Sequence, residues 1–74
     1  MKAGDIVYCE DSQQVFLVMG HTFDRRRLYL KNLTNVDCEN LISLPEKCLI
    51  PCPTEWKNYS WYETLARRIL DGYN

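Results

Sequence analysis

Apolar and polar positions are most sharply separated in the segment from residue 60 to residue 73. Placed about 100° apart, as on an α-helix, its apolar residues fall on one half of a cylinder and its polar residues on the other. The apolar half consists of Trp61, Tyr62, Leu65, Ala66, Ile69, Leu70 and Tyr73. The pattern predicts an amphipathic helix whose apolar half is buried against another surface.

Residues at both ends of this segment match helix boundaries. Ser60 and Glu63 have the spacing of a capping box, with Ser60 as the N-cap. Gly72 after Asp71 is suited to the left-handed conformation that ends many helices. The predicted helix therefore covers residues 60–72, with Trp61, Leu65 and Ile69 as its share of the core.

Short apolar stretches ahead of the helix predict β-strands, because they are rich in β-branched and aromatic residues and are bounded by turn residues. The second stretch is continuously apolar, which indicates burial on both faces, whereas the third alternates as a half-buried strand does. Pro51 and Pro53 are expected to end the last strand, since proline cannot continue a ladder. The five predicted strands cover residues 5–10, 15–19, 27–33, 39–44 and 48–50.

Five short strands in an open sheet would leave two exposed edges. Closure into a small barrel removes most of that exposure. We therefore expect an α+β, mainly β protein with a single domain over residues 1–74. Its parts are a five-stranded small barrel at 3–52, a linker at 53–59 and the helix at 60–72, packed on the barrel.

The strand pattern is carried by Gly4–Cys9, Val15–Val18, Leu28–Leu30 and Ile42–Pro51. Over about residues 3–51 it resembles the SH3-like small barrels of bacterial and phage proteins, including the KOW and Tudor-like kinds. The resemblance implies a one-turn 3₁₀ element within residues 44–49, before the fifth strand. It also implies that Val7 and Cys9 face inward, while Ile6 and Tyr8 face outward or towards the helix.

Composition narrows the function classes. Nine basic and ten acidic residues give a net charge of −1, whereas a dedicated nucleic-acid-binding domain is expected to be basic. The chain has neither an apolar run of the ~20 residues that a membrane helix needs nor an apolar signal core near its start. We expect a cytoplasmic protein that does not enter a membrane.

The four cysteines, Cys9, Cys38, Cys48 and Cys52, are expected to be thiols in a reducing compartment. Burial as small apolar side chains is the favoured interpretation. A structural zinc site is an alternative, and it would require all four thiolates to converge on one metal ion.

Catalytic arrangements are weakly represented in the sequence. His21 is the single histidine, and a thiol–imidazole pair with Cys9 lacks a third, orienting group. The three glycines are far apart, so they form no phosphate-binding loop. We expect neither enzymatic activity nor a cofactor.

Arginine and aromatic residues are the candidate binding residues, because Tyr, Trp and Arg are enriched in interface hot spots. The candidates are Tyr8, Phe23, Arg25, Arg26, Arg27, Tyr29, Trp56, Tyr59, Tyr62 and Tyr73. The leading hypothesis is a small adaptor or inhibitor that docks on a larger protein, such as a phage or mobile-element inhibitor of a host enzyme. Nucleic-acid binding through an Arg25–Arg27 hairpin is the alternative, and the oligomeric state stays open.

Overall fold

The computed structural model describes residues 1–35, 37 and 40–72. Its elements are β1 (Ile6–Cys9), β2 (Gln14–His21), β3 (Arg27–Asn32), β4 (Ile42–Pro45), a 3₁₀ turn (Glu46–Cys48), β5 (Ile50–Pro51) and α1 (Tyr59–Gly72). The α+β, mainly β class is confirmed, as is the 3₁₀ turn ahead of the fifth strand.

The strand boundaries differ from the predicted ones, by one residue at most ends and by more in β2, β4 and β5. β2 extends to His21, beyond the predicted end at residue 19. The predicted fifth strand at 48–50 was placed too early, because Cys48 belongs to the 3₁₀ turn. Pro51 does not stop β5 but lies within it, which an edge strand allows. The fourth strand was predicted to start at residue 39, which lies outside the described residues, but β4 begins only at Ile42, so residues 40 and 41 were wrongly included.

The five strands form one antiparallel sheet in the order β4-β3-β2-β1-β5. β2 occupies the centre and pairs with both neighbours, through Val7 opposite Phe16 and Val18 opposite Leu30. β5 pairs with the far side of β1, where Pro51 lies opposite Val7. The edge strands β4 and β5 therefore lie at opposite ends of the sheet although they follow each other along the chain.

The prediction of a closed barrel was wrong, because the sheet is not closed by pairing of β4 with β5. The connection from Pro45 to Ile50 contains the 3₁₀ turn and spans only about 13–15 Å, less than the about 19 Å across a flat five-stranded sheet. The sheet must therefore curl. The two edges still form no ladder, since β5 has two residues and Pro51 lacks an N–H donor.

The curled sheet buries apolar side chains on both faces. The inner face carries Val7, Cys9, Phe16, Val18, Leu28 and Leu30, and Leu49 packs against them. The outer face carries Val15 and Leu17, which pack with Leu33, Cys52 and Ala66. The double burial predicted for the second strand is thus confirmed, because its alternate residues enter the two clusters. The inward positions of Val7 and Cys9 are confirmed as well.

Helix α1 packs on the outer face, next to β1. Ala66 is buried there, and Leu65, Ile69 and Leu70 are partly buried against the same cluster. Trp61 was expected in the core but is 51% exposed, since it lies on the side of the helix turned away from the sheet. The helix shields the outside of the sheet, and Leu49 covers the inner face.

The predicted N-cap was wrong by two residues. The helix begins at Tyr59, and the Tyr62 amide donates to the Asn58 carbonyl at 3.1 Å. Asn58 is therefore the N-cap, and Ser60 lies within the first turn. The Ser60 carbonyl accepts a bond from the Thr64 hydroxyl at 3.0 Å.

Candidate interaction surface

The predicted binding residues divide into two groups in the structure. The first group lies on the β2–β3 hairpin and consists of Phe23, Arg25, Arg26, Arg27 and Tyr29. The second group surrounds the start of α1 and consists of Tyr8, Trp56, Tyr59 and Tyr62. Tyr73 lies outside the described residues.

Hydrogen bonds order the tip of the hairpin. The Thr22 amide donates to the Arg27 carbonyl at 2.9 Å, and the Arg27 amide donates to the Thr22 hydroxyl at 3.2 Å. The Asp24 carboxylate accepts from the Thr22 hydroxyl at 2.7 Å and from the Arg26 amide at 3.0 Å. Arg25 has φ of 60°, the left-handed conformation that turns the chain back. The tip is therefore an ordered turn.

The same contacts determine the charge of the Asp24 carboxyl. The Thr22 hydroxyl, and after it the Arg26 amide, holds the pKa of this group below its usual range. Asp24 is therefore ionised at neutral pH, and its negative charge is directed at the backbone of the turn.

Phe23 is the most exposed large apolar residue in the described part of the chain. Its side chain is fully exposed at the end of the ordered turn. A phenyl ring buries a large apolar area when it is covered, and aromatic residues are enriched at interfaces. The turn thus presents an aromatic side chain to solvent from a fixed backbone.

The three consecutive arginines have different roles. Arg27 lies in β3, where its Nε donates to the Ser43 hydroxyl at 3.1 Å and its Nη2 donates to the Ser43 carbonyl at 2.8 Å. These bonds tie the base of the hairpin to β4. Arg25 and Arg26 are exposed beside Phe23. Only these two guanidinium groups project from the tip.

A groove of about 440 Å³ separates the hairpin tip from the 3₁₀ turn. We call it the hairpin groove; it is lined by Asp24, Arg25, Arg26, Arg27, Pro45, Glu46 and Lys47. Both of its carboxylates are engaged: Asp24 within the turn, and Glu46 with the amino group of Met1 at 2.7 Å. The four cations therefore dominate the potential of the groove.

Tyr29 lies on the outer side of β3, two residues after Arg27, and is 44% exposed. A bulge in β2 shifts the pairing, so that Val18 opposes Leu30 and Gly20 opposes Tyr29. Because Gly20 has no side chain, its position does not cover the tyrosine ring. The hairpin surface, defined as Phe23, Arg25, Arg26 and Tyr29, thus combines two aromatic rings with two cations.

The second group of predicted residues contributes to packing. Tyr8 and Trp56 contact each other edge to face, with ring centroids 4.7 Å apart. Tyr59 and Tyr62 pack against the outer-face cluster. Burial, followed by the nearby Glu63 carboxylate, raises the pKa of Tyr59. Of the four, only Trp56 is exposed.

The three cysteines that the structure describes do not converge. Cys9 is buried in the inner-face cluster and Cys52 in the outer-face cluster, so the sheet separates them. Cys48 lies in the 3₁₀ turn and Cys38 lies outside the described residues. Among the residues that the structure describes, no group of three potential ligands could hold a metal ion.

The pairing of β1 with β2 keeps the Cys9 thiol and the His21 imidazole too far apart for contact. Cys9 lies opposite Gln14 at the start of β2, whereas His21 ends the same strand seven residues later. At about 3.3 Å per residue, about 23 Å of strand separates these two positions, so Cys9 and His21 lie at opposite ends of β2. Hydrogen bonds from Ser12 lower the pKa of the Cys9 thiol, but the group is buried in the inner-face cluster.

Sequence analysis missed the supporting residues of the surface. Thr22 and Asp24 flank Phe23, and Ser, Thr and Asp side chains often form hydrogen bonds to the backbone in turns. The sequence could therefore have predicted the ordered turn around Phe23. Ser43 and Lys47 approach the hairpin only through the register of β4 and the 3₁₀ turn. No local sequence pattern predicts that Ser43 and Lys47 lie near the hairpin.

The comparisons with known proteins identify no relative: no protein-family model, curated protein or solved structure matches the chain. Within the described ranges, no helix is both long enough and apolar enough to cross a membrane.

Proposed function

We propose that the protein is a non-enzymatic interaction module of the SH3-like small-barrel type, which docks on a larger protein as an adaptor or inhibitor. The SH3-like assignment is supported by the 3₁₀ turn between β4 and β5 and by the meander β1-β2-β3-β4 with β5 returning to β1. Docking is assigned to the hairpin surface.

The full exposure of Phe23 on an ordered turn carries this proposal. A free loop would lose conformational entropy on binding, whereas a hydrogen-bonded turn has already lost most of it. Arg25 and Arg26 beside the ring supply cations that steer an acidic partner. Aromatic and arginine residues are also enriched among the residues whose truncation costs most binding energy.

Affinity capture from cell lysate with the full chain tests the proposal. The wild type is expected to retain a stoichiometric protein partner, whereas Phe23→Ala and the R25E/R26E variant lose it. Trp61→Ala is the matched aromatic control, because Trp61 is also exposed but lies on α1. The K57E/R68E variant is the matched charge control, since both positions are exposed outside the hairpin. Equal loss with hairpin and control variants would contradict the assignment.

The effect of the chain on the activity of its captured partner distinguishes an inhibitor from an adaptor. If the partner is an enzyme, the inhibitor proposal predicts that adding the purified chain lowers its activity in a titration that saturates at stoichiometric ratio. The Phe23→Ala variant should leave that activity unchanged. Full activity of the enzyme in the saturated complex favours the adaptor role.

Nucleic-acid binding is the second candidate, because the hairpin surface places Tyr29 and two free-standing arginines within one hairpin. Single strands bind to such combinations of stacking rings and cations. The measurement is fluorescence anisotropy with a labelled 12-nucleotide oligothymidylate. Binding that weakens steeply between 50 and 200 mM salt supports this candidate, and no binding at the lower salt concentration rejects it.

A further inference from the structure

A second concave surface lies on the opposite side of β1 from the hairpin-bearing strands. We call it the helix cleft; it measures about 530 Å³ and runs between α1 and the segment that leads into β1. Its apolar lining, which we call the floor, comes from Ile6, Cys52, Ala66 and Leu70, all of which belong to or pack against the outer-face cluster. The proposed docking function does not use this cleft.

Carboxylates dominate the rim of the helix cleft. Asp5, Glu63 and Asp71 line it, together with Arg67 and with Met1, whose amino group is already paired with Glu46. Although Glu63 and Arg67 are four residues apart on the helix, no ion pair between them is present. Burial is the main cause of the raised pKa of Tyr59, which also lines the cleft, and the Glu63 and Asp5 carboxylates add to the shift.

A ligand for this cleft must combine an apolar group with positive charge. The apolar floor favours a ring or an aliphatic side chain, since burial of such a group removes apolar area from water. The carboxylate rim favours guanidinium groups, which bind carboxylates through paired hydrogen bonds. The cleft is open to solvent on one side, so a protruding turn could enter it.

The hairpin tip of this chain has both properties. Phe23 projects from an ordered turn, with Arg25 and Arg26 next to it. Because Phe23 is fully exposed, the tip does not occupy the cleft of its own molecule. We propose that the helix cleft receives the hairpin tip of a second copy of the chain, with Phe23 on the apolar floor and the two arginines at the Glu63 and Asp71 carboxylates.

The interface is small, so the self-association is expected to be weak and dependent on concentration and salt. Sedimentation equilibrium over about 10 µM to 1 mM protein at low salt is the appropriate measurement. The wild type should shift from monomer to higher mass across this range, and the shift should shrink at high salt.

Charge reversal on the two surfaces tests their pairing. R25E/R26E makes the tip acidic against an acidic cleft, and E63R/D71R makes the cleft basic against a basic tip. Each variant alone should therefore stay monomeric. An equimolar mixture should associate again, because each tip then meets a cleft of opposite charge, and this rescue could not occur if the variants were misfolded. K57E/R68E changes the charge equally at exposed positions outside both surfaces and should associate like the wild type.

Three results would overturn this inference. The first is a wild type that remains monomeric up to 1 mM at low salt. The second is self-association that E63R/D71R leaves unchanged, and the third is a variant mixture that fails to associate. A monomeric protein that still captures a partner through Phe23 rejects the cleft pairing but leaves the proposed docking function intact.

Discussion

At the scale of single residues, the arginine run shows how neighbours in sequence differ in role. Arg27 donates two hydrogen bonds to Ser43, whereas Arg25 and Arg26 project from the turn. The charge cluster and the exposed Phe23 could be predicted from the sequence as candidate binding residues. The structural role of Arg27, as opposed to Arg25 and Arg26, could not be predicted from the sequence. It depends on the pairing register of β3 and β4, which places Ser43 near Arg27.

Truncation of the arginines should separate these roles. Arg27→Ala is expected to lower the free energy of unfolding by about 1 kcal/mol, because two hydrogen bonds to Ser43 are lost. Arg26→Ala should change it by about 0.5 kcal/mol or less, as at most exposed positions. Urea denaturation of both variants and the wild type measures the difference, and equal costs for the two would contradict the separate roles.

The turn around Phe23 should depend on pH through Asp24. Because the folded-state pKa of this carboxyl is lowered, its ionised form stabilises the turn above the usual aspartate pKa, near 4. The stabilisation is lost as the pH falls through the lowered folded pKa. The amide resonance of Arg26, which donates to Asp24, should therefore titrate below pH 4 in two-dimensional NMR spectra.

The matched variant for this titration is Asp24→Asn, which has no carboxyl at this position. Its Arg26 amide should show no corresponding titration step below pH 4. A step with the same midpoint in Asp24→Asn would assign the effect to another carboxylate.

At the scale of elements, the amphipathic pattern predicted the helix correctly and its start less well. Asn58 and Ser60, two positions apart, are both of residue types that favour the N-cap, and the spacing from Ser60 to Glu63 suggested the wrong one. The orientation of the helix follows from Ala66, the one fully buried helix residue, which brings Leu65 and Ile69 against the sheet. This orientation leaves Trp61 outside, which the helical wheel alone did not reveal.

Substitutions along the helix should reproduce this packing. Ile69→Ala is expected to cost about 1–2 kcal/mol, less than the about 2–5 kcal/mol typical of a fully buried isoleucine, because Ile69 is half-buried. Ser60→Ala should cost little, since Ser60 is not the cap. Thermal unfolding measures both, and a loss of about 1 kcal/mol for Ser60→Ala would restore the capping box as the helix start.

At the scale of the whole molecule, one sheet separates two apolar clusters. The central strand β2 supplies side chains to both, with Phe16 and Val18 on the inner face and Val15 and Leu17 on the outer face. The continuous apolar stretch at residues 15–19 predicted that this strand is buried on both faces. The sequence already indicated a short fifth strand beside Pro51, but whether β4 and β5 pair depends on the arrangement of the whole sheet, which no local pattern predicts.

Hydrogen exchange should reflect this open arrangement. Amides of β2, which is paired on both sides, are expected to exchange most slowly among the strands, and the amide of Ile50 in β5 should exchange much faster. Site-resolved exchange by NMR provides the comparison. Equally slow exchange throughout β4 and β5 would indicate that the two edges are paired and the barrel is closed.

The central claim is that the β2–β3 hairpin presents Phe23 as the anchor for a larger protein. Its most direct test is the affinity of the captured partner for the full chain, measured by titration calorimetry with the wild type, Phe23→Ala and Trp61→Ala. The account predicts about a 30-fold or larger loss for Phe23→Ala, the size of a hot spot, and about a twofold change or less for Trp61→Ala. Unchanged affinity in Phe23→Ala would contradict the claim.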